Sequence, residues 1–114
     1  MKSKTAIYRG QFGELKARDY LIKKNYTILE TNYKTKAGEI DIIAEAPDKS
    51  VRFIEVKTYL HNNWVNPLFV IQKQLPKIKK AIQIYLLKTN TDSIPIQIDA
   101  IIVSEKHIQH LENV

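Results

Sequence analysis

Gly38-Glu39-Ile40-Asp41-Ile42-Ile43, followed by Phe53-Ile54-Glu55-Val56-Lys57, decides the fold of this 114-residue chain. Both runs are rich in Ile, Val and Phe, which favour a pleated, half-buried backbone, and they predict strands over 39–45 and 51–57. Pro47-Asp48-Lys49-Ser50 is a turn short enough to join them as an antiparallel hairpin. Each run nevertheless carries charge, and a core strand does so only where the charged groups have work or partners. Strict alternation puts Glu39, Asp41 and Ile43 on one face of the first strand, and Phe53, Glu55 and Lys57 on one face of the second. Two carboxylates and an ammonium then converge at one spot. Such a group suits a divalent cation and a water activated beside it.

Outward from this hairpin the pattern is that of a mixed sheet covered by helices. Residues 8–25 read as a helix ended at Asn25-Tyr26, and 26–31 as a short strand. Lys34-Thr35-Lys36-Ala37-Gly38 then turns into the strand that carries Asp41. Beyond a polar, irregular stretch at 59–67, a second helix runs near 72–88, with Leu75, Ile78, Ile82, Tyr85 and Leu86 along one side. Pro76 is expected in its first turn. A last strand over 94–103 and a short segment over 106–114 complete the order α-β-β-β-α-β, in a single α/β domain spanning 1–114.

The chain has no cysteine, which removes disulfides and thiolate metal sites and leaves His and carboxylate as ligands. Its formal net charge of +6 comes from fifteen lysines and three arginines. That balance suits a polyanionic partner such as DNA, while the shortage of Arg argues against base readout by bidentate contacts to guanine. A generally cationic, solvated surface is the plain alternative. No apolar stretch follows the basic start Met1-Lys2-Ser3-Lys4, and no run approaches membrane-spanning length, so a cytoplasmic protein without a membrane partner is expected.

On the first helix Gly10, Gly13, Ala17, Tyr20 and Leu21 share one side, with Glu14 at the stripe's edge. Two readings of Glu14 stay open: held against the sheet, where it joins the strand carboxylates, or exposed and paired with Arg18 at i+4. Phe12, Leu15 and Ile22 lie opposite, available to the second helix or to a partner. Glu-x-Lys spacing alone is weak evidence, because Glu14-Leu15-Lys16 has it too. On a helix those side chains diverge by about 200°, whereas on a strand Glu55 and Lys57 share a face. Asp41 and Glu55, with the Val56 carbonyl, offer the hard oxygen ligands preferred by Mg²⁺ or Mn²⁺. Lys57 is placed to lower the pKa of an attacking water or to neutralise charge building on a phosphate. The alternative is an edge-strand salt bridge from Lys57 to either carboxylate.

Further residues fall into a known order. These are Gly10-x-x-Gly13-Glu14 with Ala17 and Leu21, Tyr26-x-Ile28-Leu29, Asn32-Tyr33, Gly38-Glu39-Ile40-Asp41-Ile42-Ile43 and Phe53-x-Glu55-Val56-Lys57-Thr58. Lys73-Gln74, Ala81 with Tyr85-Leu86, Asp99 and Ile108-x-His110 continue it. In these residues and their spacing the chain resembles the YraN family over nearly its whole length. That family is similar to archaeal Holliday-junction resolvases and to restriction-endonuclease-like nucleases. The resemblance implies a restriction-endonuclease-like mixed sheet flanked by helices, with Asp41, Glu55 and Lys57 as a catalytic triad for metal-dependent cleavage of DNA, branched or otherwise structured. It also implies that Glu14 completes the metal site, and it leaves a homodimer open. Two positions depart from the family's usual form: Tyr59 stands where a basic residue commonly follows, and Ile98 where an aromatic commonly precedes Asp99.

Nucleic-acid contacts are expected from Lys34, Lys36, Lys73, Lys77 and Lys80. Lys73, Lys77, Lys80 and Lys88 share the side of the second helix opposite its apolar stripe, which fits a phosphate-tracking face and an ordinary solvated face equally. Tyr59, His61 and Trp64 could stack on splayed bases or fold back onto their own domain. His107 and His110 read as surface residues. Asp99 reads as a buried residue bonded to neighbouring backbone.

Overall fold

The computed structural model describes residues 4–59, 66–91 and 93–114, with side chains from Gly10 onward in the first of these. Its elements are α1 (Lys4–Lys23), β1 (Thr27–Thr35), β2 (Gly38–Glu45), β3 (Val51–Tyr59), α2 (Pro67–Thr89), β4 (Ile96–Ser104) and β5 (Ile108–Leu111). The strands form one sheet in the order β1-β2-β3-β4-β5, antiparallel throughout except where β3 lies parallel to β4. A parallel pair needs a crossover, and α2 belongs to it. The hairpin of β2 and β3 forms as the turn at 47–50 predicts. The closing segment holds one strand more than expected: β5 pairs with β4 from Ala100↔Leu111 to Val103↔Ile108, giving α-β-β-β-α-β-β.

Local chemistry sets the helix ends. Past α1, Asn25 takes φ 67 and the Tyr26 N–H donates to the Leu21 carbonyl at 3.0 Å, a left-handed cap of the kind Asn supports. At the start of α2 the Asn66 side chain accepts the Leu68 N–H at 3.1 Å and Pro67 fills the first helical position. The helix therefore begins earlier than periodicity alone indicates, and Pro76 falls inside it instead of in its first turn. Pro76 and Gln72, whose carbonyl the proline deprives of a partner, both lie on the exposed side, where water can take the bond.

The two helices cover opposite faces. Ala17 and Leu21 of α1 pack with Ile42, Ala44, Ile54, Ile101 and Val103. Ile78, Ala81, Ile82 and Tyr85 of α2 pack with Ile40, Ile43, Val51 and Phe53, and Ile71 with Ala100 and Ile102. Each fully buried aliphatic side chain contributes roughly 1.5–3 kcal/mol. Because α2 is on the far side of the sheet, it cannot cover the outer side of α1, where Leu15 and Ile22 are exposed and Phe12 leans partly into the α1 core. At Gly13 α1 lies close against β3, since a Cβ there would collide with the Thr58 hydroxyl. Gly10, expected on the same buried stripe, is exposed, with nothing within 4 Å of its Cβ position.

Strict alternation fails at Asp41. Ile42 packs towards α1, yet Ile40 and Ile43, three positions apart, both pack towards α2. On β1 the register passes from Thr31↔Ile42 to Tyr33↔Ile40, skipping the facing residues Asn32 and Asp41. Tyr33 joins Ile40 in the α2 cluster, and Asn32 has φ 50, in the left-handed region. Both strands therefore turn over together at Asn32 and Asp41.

Candidate active site

Cα pairing of β2 with β3 runs from Glu45↔Val51 to Ile42↔Ile54, so Asp41 and Glu55 stand one step beyond the last pair. There the Val56 N–H donates to Asp41 Oδ2 at 2.8 Å, and a side-chain carboxylate takes the role of a ladder carbonyl. Glu55 lies beside it. Burial, then a hydrogen bond with Asp41 and that residue's charge, push the Glu55 carboxyl up to about 9, while Lys57 pulls the other way. Near neutral pH Glu55 therefore keeps its proton beside Asp41. Lys57, two residues along β3, is half-buried on the same side as Glu55.

Glu14 approaches from α1. Its Oε1 accepts from Asn32 Nδ2 at 2.8 Å, and its carboxyl is raised by burial and by the Asp41 charge, against the opposing pull of Asn32 and Arg18. Glu14 thus reaches β1 through Asn32 while staying partly exposed, and Arg18 still draws on its charge. The oxygens of Glu14, Asp41 and Glu55 do not all come within 4.8 Å of one another, a spacing reached among the described residues by Asp99, His110 and Glu112.

That second group is bridged from within. Asp99, fully buried on β4, accepts from Arg52 Nη1 at 3.0 Å, Gln97 Nε2 at 2.8 Å and the Asn113 N–H at 3.0 Å, and lies 2.7 Å from His110 Nε2. Arg52 Nη1 also donates to Glu112 at 2.8 Å, so a guanidinium already supplies the cation there. Burial alone would raise the Asp99 carboxyl, but these bonds hold it down to about 2. His110 is not a surface residue, and the partners of Asp99 are mostly side chains instead of neighbouring backbone. His107 is exposed, as expected.

Lys34, Lys36, Lys73, Lys77 and Lys80 are all exposed. A Cβ built on Gly38 would lie 3.6 Å from the Lys77 Cβ, so α2 brings Lys77 alongside the turn that carries Lys36. Tyr59 folds onto the Ile71, Ala100 and Ile102 cluster, while His61 and Trp64 lie outside the described residues. Three residues without an assigned role in the sequence shape these sites: Asn32, Arg52 and Gln74. Asn32 was readable as an Asn inside a strand, where that residue is depleted and where it tolerates positive φ. Arg52 was readable as a charge in a core run. Gln74, whose buried Oε1 has no hydrogen-bond partner, sits on α2 between Ile71 and Ile78, on the side that covers the sheet face of Glu55 and Lys57, and polarity on an apolar stripe was its signal.

A mixed five-stranded sheet flanked by helices, opened at an acidic pair with a lysine beside it, defines an α/β protein. The chain belongs to UPF0102, the YraN family, described as an uncharacterised protein family, whose model matches residues 13–103. It is 37% identical over 105 residues to a UPF0102 protein of Nitratiruptor sp., covering 91% of this chain and 89% of that one. It is 40% identical over 108 residues to one of Clostridioides difficile, covering 92% and 94%. To one of Thermotoga neapolitana it is 43% identical over 97 residues, covering 84% and 87%. Among solved structures, the crystal structure of SSO0001 superposes with a TM-score of 0.47 at 19% identity, covering 97% of this chain and 52% of that one. No helix among the described residues is long and apolar enough to cross a membrane.

Proposed function

We propose that this protein is a metal-dependent endonuclease that hydrolyses DNA phosphodiester bonds where β2 and β3 part. The observation that carries the reading is the Asp41–Glu55 pair, two acids side by side at a strand opening, with Lys57 on the same side. Two acids side by side are costly to keep in the free protein, and a hard divalent cation supplies positive charge to both. The donor set fits Mg²⁺ or Mn²⁺, because it is all oxygen and the chain has no thiol. Asp41 and Glu55 would hold the cation, with Glu14 beside them; when bound, it lowers the pKa of water and polarises the phosphoryl oxygen.

The chain's own groups do the rest. Val56 N–H fixes the Asp41 carboxylate in orientation. Lys57 neutralises charge gathering on the phosphoryl oxygens. Lys34, Lys36, Lys73, Lys77 and Lys80 hold the DNA backbone, a sequence-independent contact whose strength falls steeply with salt. Branched or otherwise structured DNA is the substrate class that the family resemblance implies.

The test is cleavage of linear, flapped and four-way DNA with Mn²⁺, alongside binding to the same substrates. Wild type should cut at least one of them. Lys57→Ala should bind metal and DNA but turn over slowly. If wild type binds DNA and cuts none of the substrates, a non-catalytic accessory protein is the better description.

A further inference from the structure

The geometry points to Asn32 as the positioning residue for Glu14, a role that rests on the metal-site reading above. Three observations converge on it. Asn32 sits inside β1, facing Asp41 at the step the register skips. Its φ of 50 lies in the left-handed region, which few side chains other than Asn and Asp accept without strain. Its amide reaches across to α1 and donates to Glu14 Oε1 at 2.8 Å.

Backbone packing alone does not settle where the Glu14 carboxylate goes. Gly13 against Thr58 fixes the distance of α1 from β3, but a Glu side chain turns about three bonds. The Asp41 charge repels the carboxylate and Arg18 attracts it along the helix. The Asn32 amide offsets both by engaging one oxygen and leaving Oε2 free of it. Asn32 thus joins two tasks in one residue: its backbone lets β1 turn over with β2, and its side chain selects the Glu14 rotamer that faces Asp41. Gly performs only the first task. Asp tolerates the backbone but sets a like charge against Glu14, and Ala performs neither.

Mn²⁺ calorimetry and thermal melts on wild type, Asn32→Gly, Asn32→Ala, Glu14→Gln and the double variant Asn32→Gly/Glu14→Gln separate these tasks. Asn32→Gly should melt above Asn32→Ala, yet bind Mn²⁺ roughly ten-fold more weakly than wild type, the usual loss when a ligand's supporting bond is removed. In the Glu14→Gln background Asn32→Gly should cause no further loss, because its effect runs through the Glu14 carboxylate. Wild-type affinity in Asn32→Gly, or the same fractional loss in both backgrounds, overturns the role. Should Asn32→Gly fail to fold, Glu14→Asp tests the contact from the other side: it keeps the charge but draws it away from Asn32, and unchanged Mn²⁺ affinity overturns the role equally. A wild type that binds no Mn²⁺ removes the metal-site reading itself, and this inference with it.

Discussion

The Val56 N–H donates to Asp41 Oδ2 at 2.8 Å one step past the last β2/β3 pair, so a carboxylate completes the ladder where the strands part. An Asn at 41 can still accept that bond through its amide oxygen, and it removes a charge facing Glu55. Asp41→Asn should therefore fold and melt at or above the wild-type temperature in the absence of metal. Asp41→Ala leaves the Val56 N–H without that acceptor and should lose about 1–3 kcal/mol. Melting curves of the three proteins, recorded with chelator, check the order.

Glu55 gives the metal-free protein a pH dependence of definite sign. Its carboxyl rises from 4.5 to about 9 on folding, through burial and then the Asp41 bond and charge. Below 4.5 folded and unfolded chains both hold the proton; between 4.5 and about 9 the folded protein keeps a proton that the unfolded chain has released, so stability falls as pH rises. Glu55→Gln abolishes that titration. Its melting temperature should fall less than that of the wild type between about pH 5 and 9.

The two α1 glycines should respond in opposite ways. A methyl at Gly13 meets the Thr58 hydroxyl, so Gly13→Ala should cost about 1–3 kcal/mol and displace Glu14 from the strands. Pairing it with Thr58→Ala should restore part of the loss. Gly10 has open space around it, and Gly10→Ala should gain up to about 1 kcal/mol from helix propensity. Urea denaturation of these three variants and the wild type measures both signs.

Arg52 and Asp99 tie β3 and β4 to the segment that follows β5. Removing the guanidinium in Arg52→Met leaves a fully buried carboxylate without its charge partner, and breaking such a pair costs about 3–5 kcal/mol. Asp99 falls from 3.8 to about 2 on folding, so its contribution is complete above 3.8 and is lost as pH drops through about 2. Acid titration of stability should be shallower in Asp99→Asn over that range.

The hairpin, its turn and the acids at 41 and 55 are legible in the sequence because apolar, β-branched runs around a short turn are local signals, and charges inside such runs stand out. The turn-over at Asn32 and Asp41 is hidden, since alternation assumes an unbroken pleat, and it takes both strands to show that neither residue is paired. β5 is hidden for a different reason. Its four residues, Ile108-Gln109-His110-Leu111, are too few for a periodic signal, and they become a strand only by pairing with β4. His110 follows suit, because its partner Asp99 is brought to it by that pairing. The early start of α2 was readable from the cap Asn66-Pro67, a signal that outranks periodicity at a helix end.

Titration of Mn²⁺ into wild type and Asp41→Asn at one pH, followed by calorimetry, tests the central claim most directly. Asp41→Asn keeps the shape of the opening and removes one negative charge. The account predicts saturable binding to wild type and an affinity at least about ten-fold weaker in the variant. Equal affinity in the two proteins, or binding to neither, would contradict it.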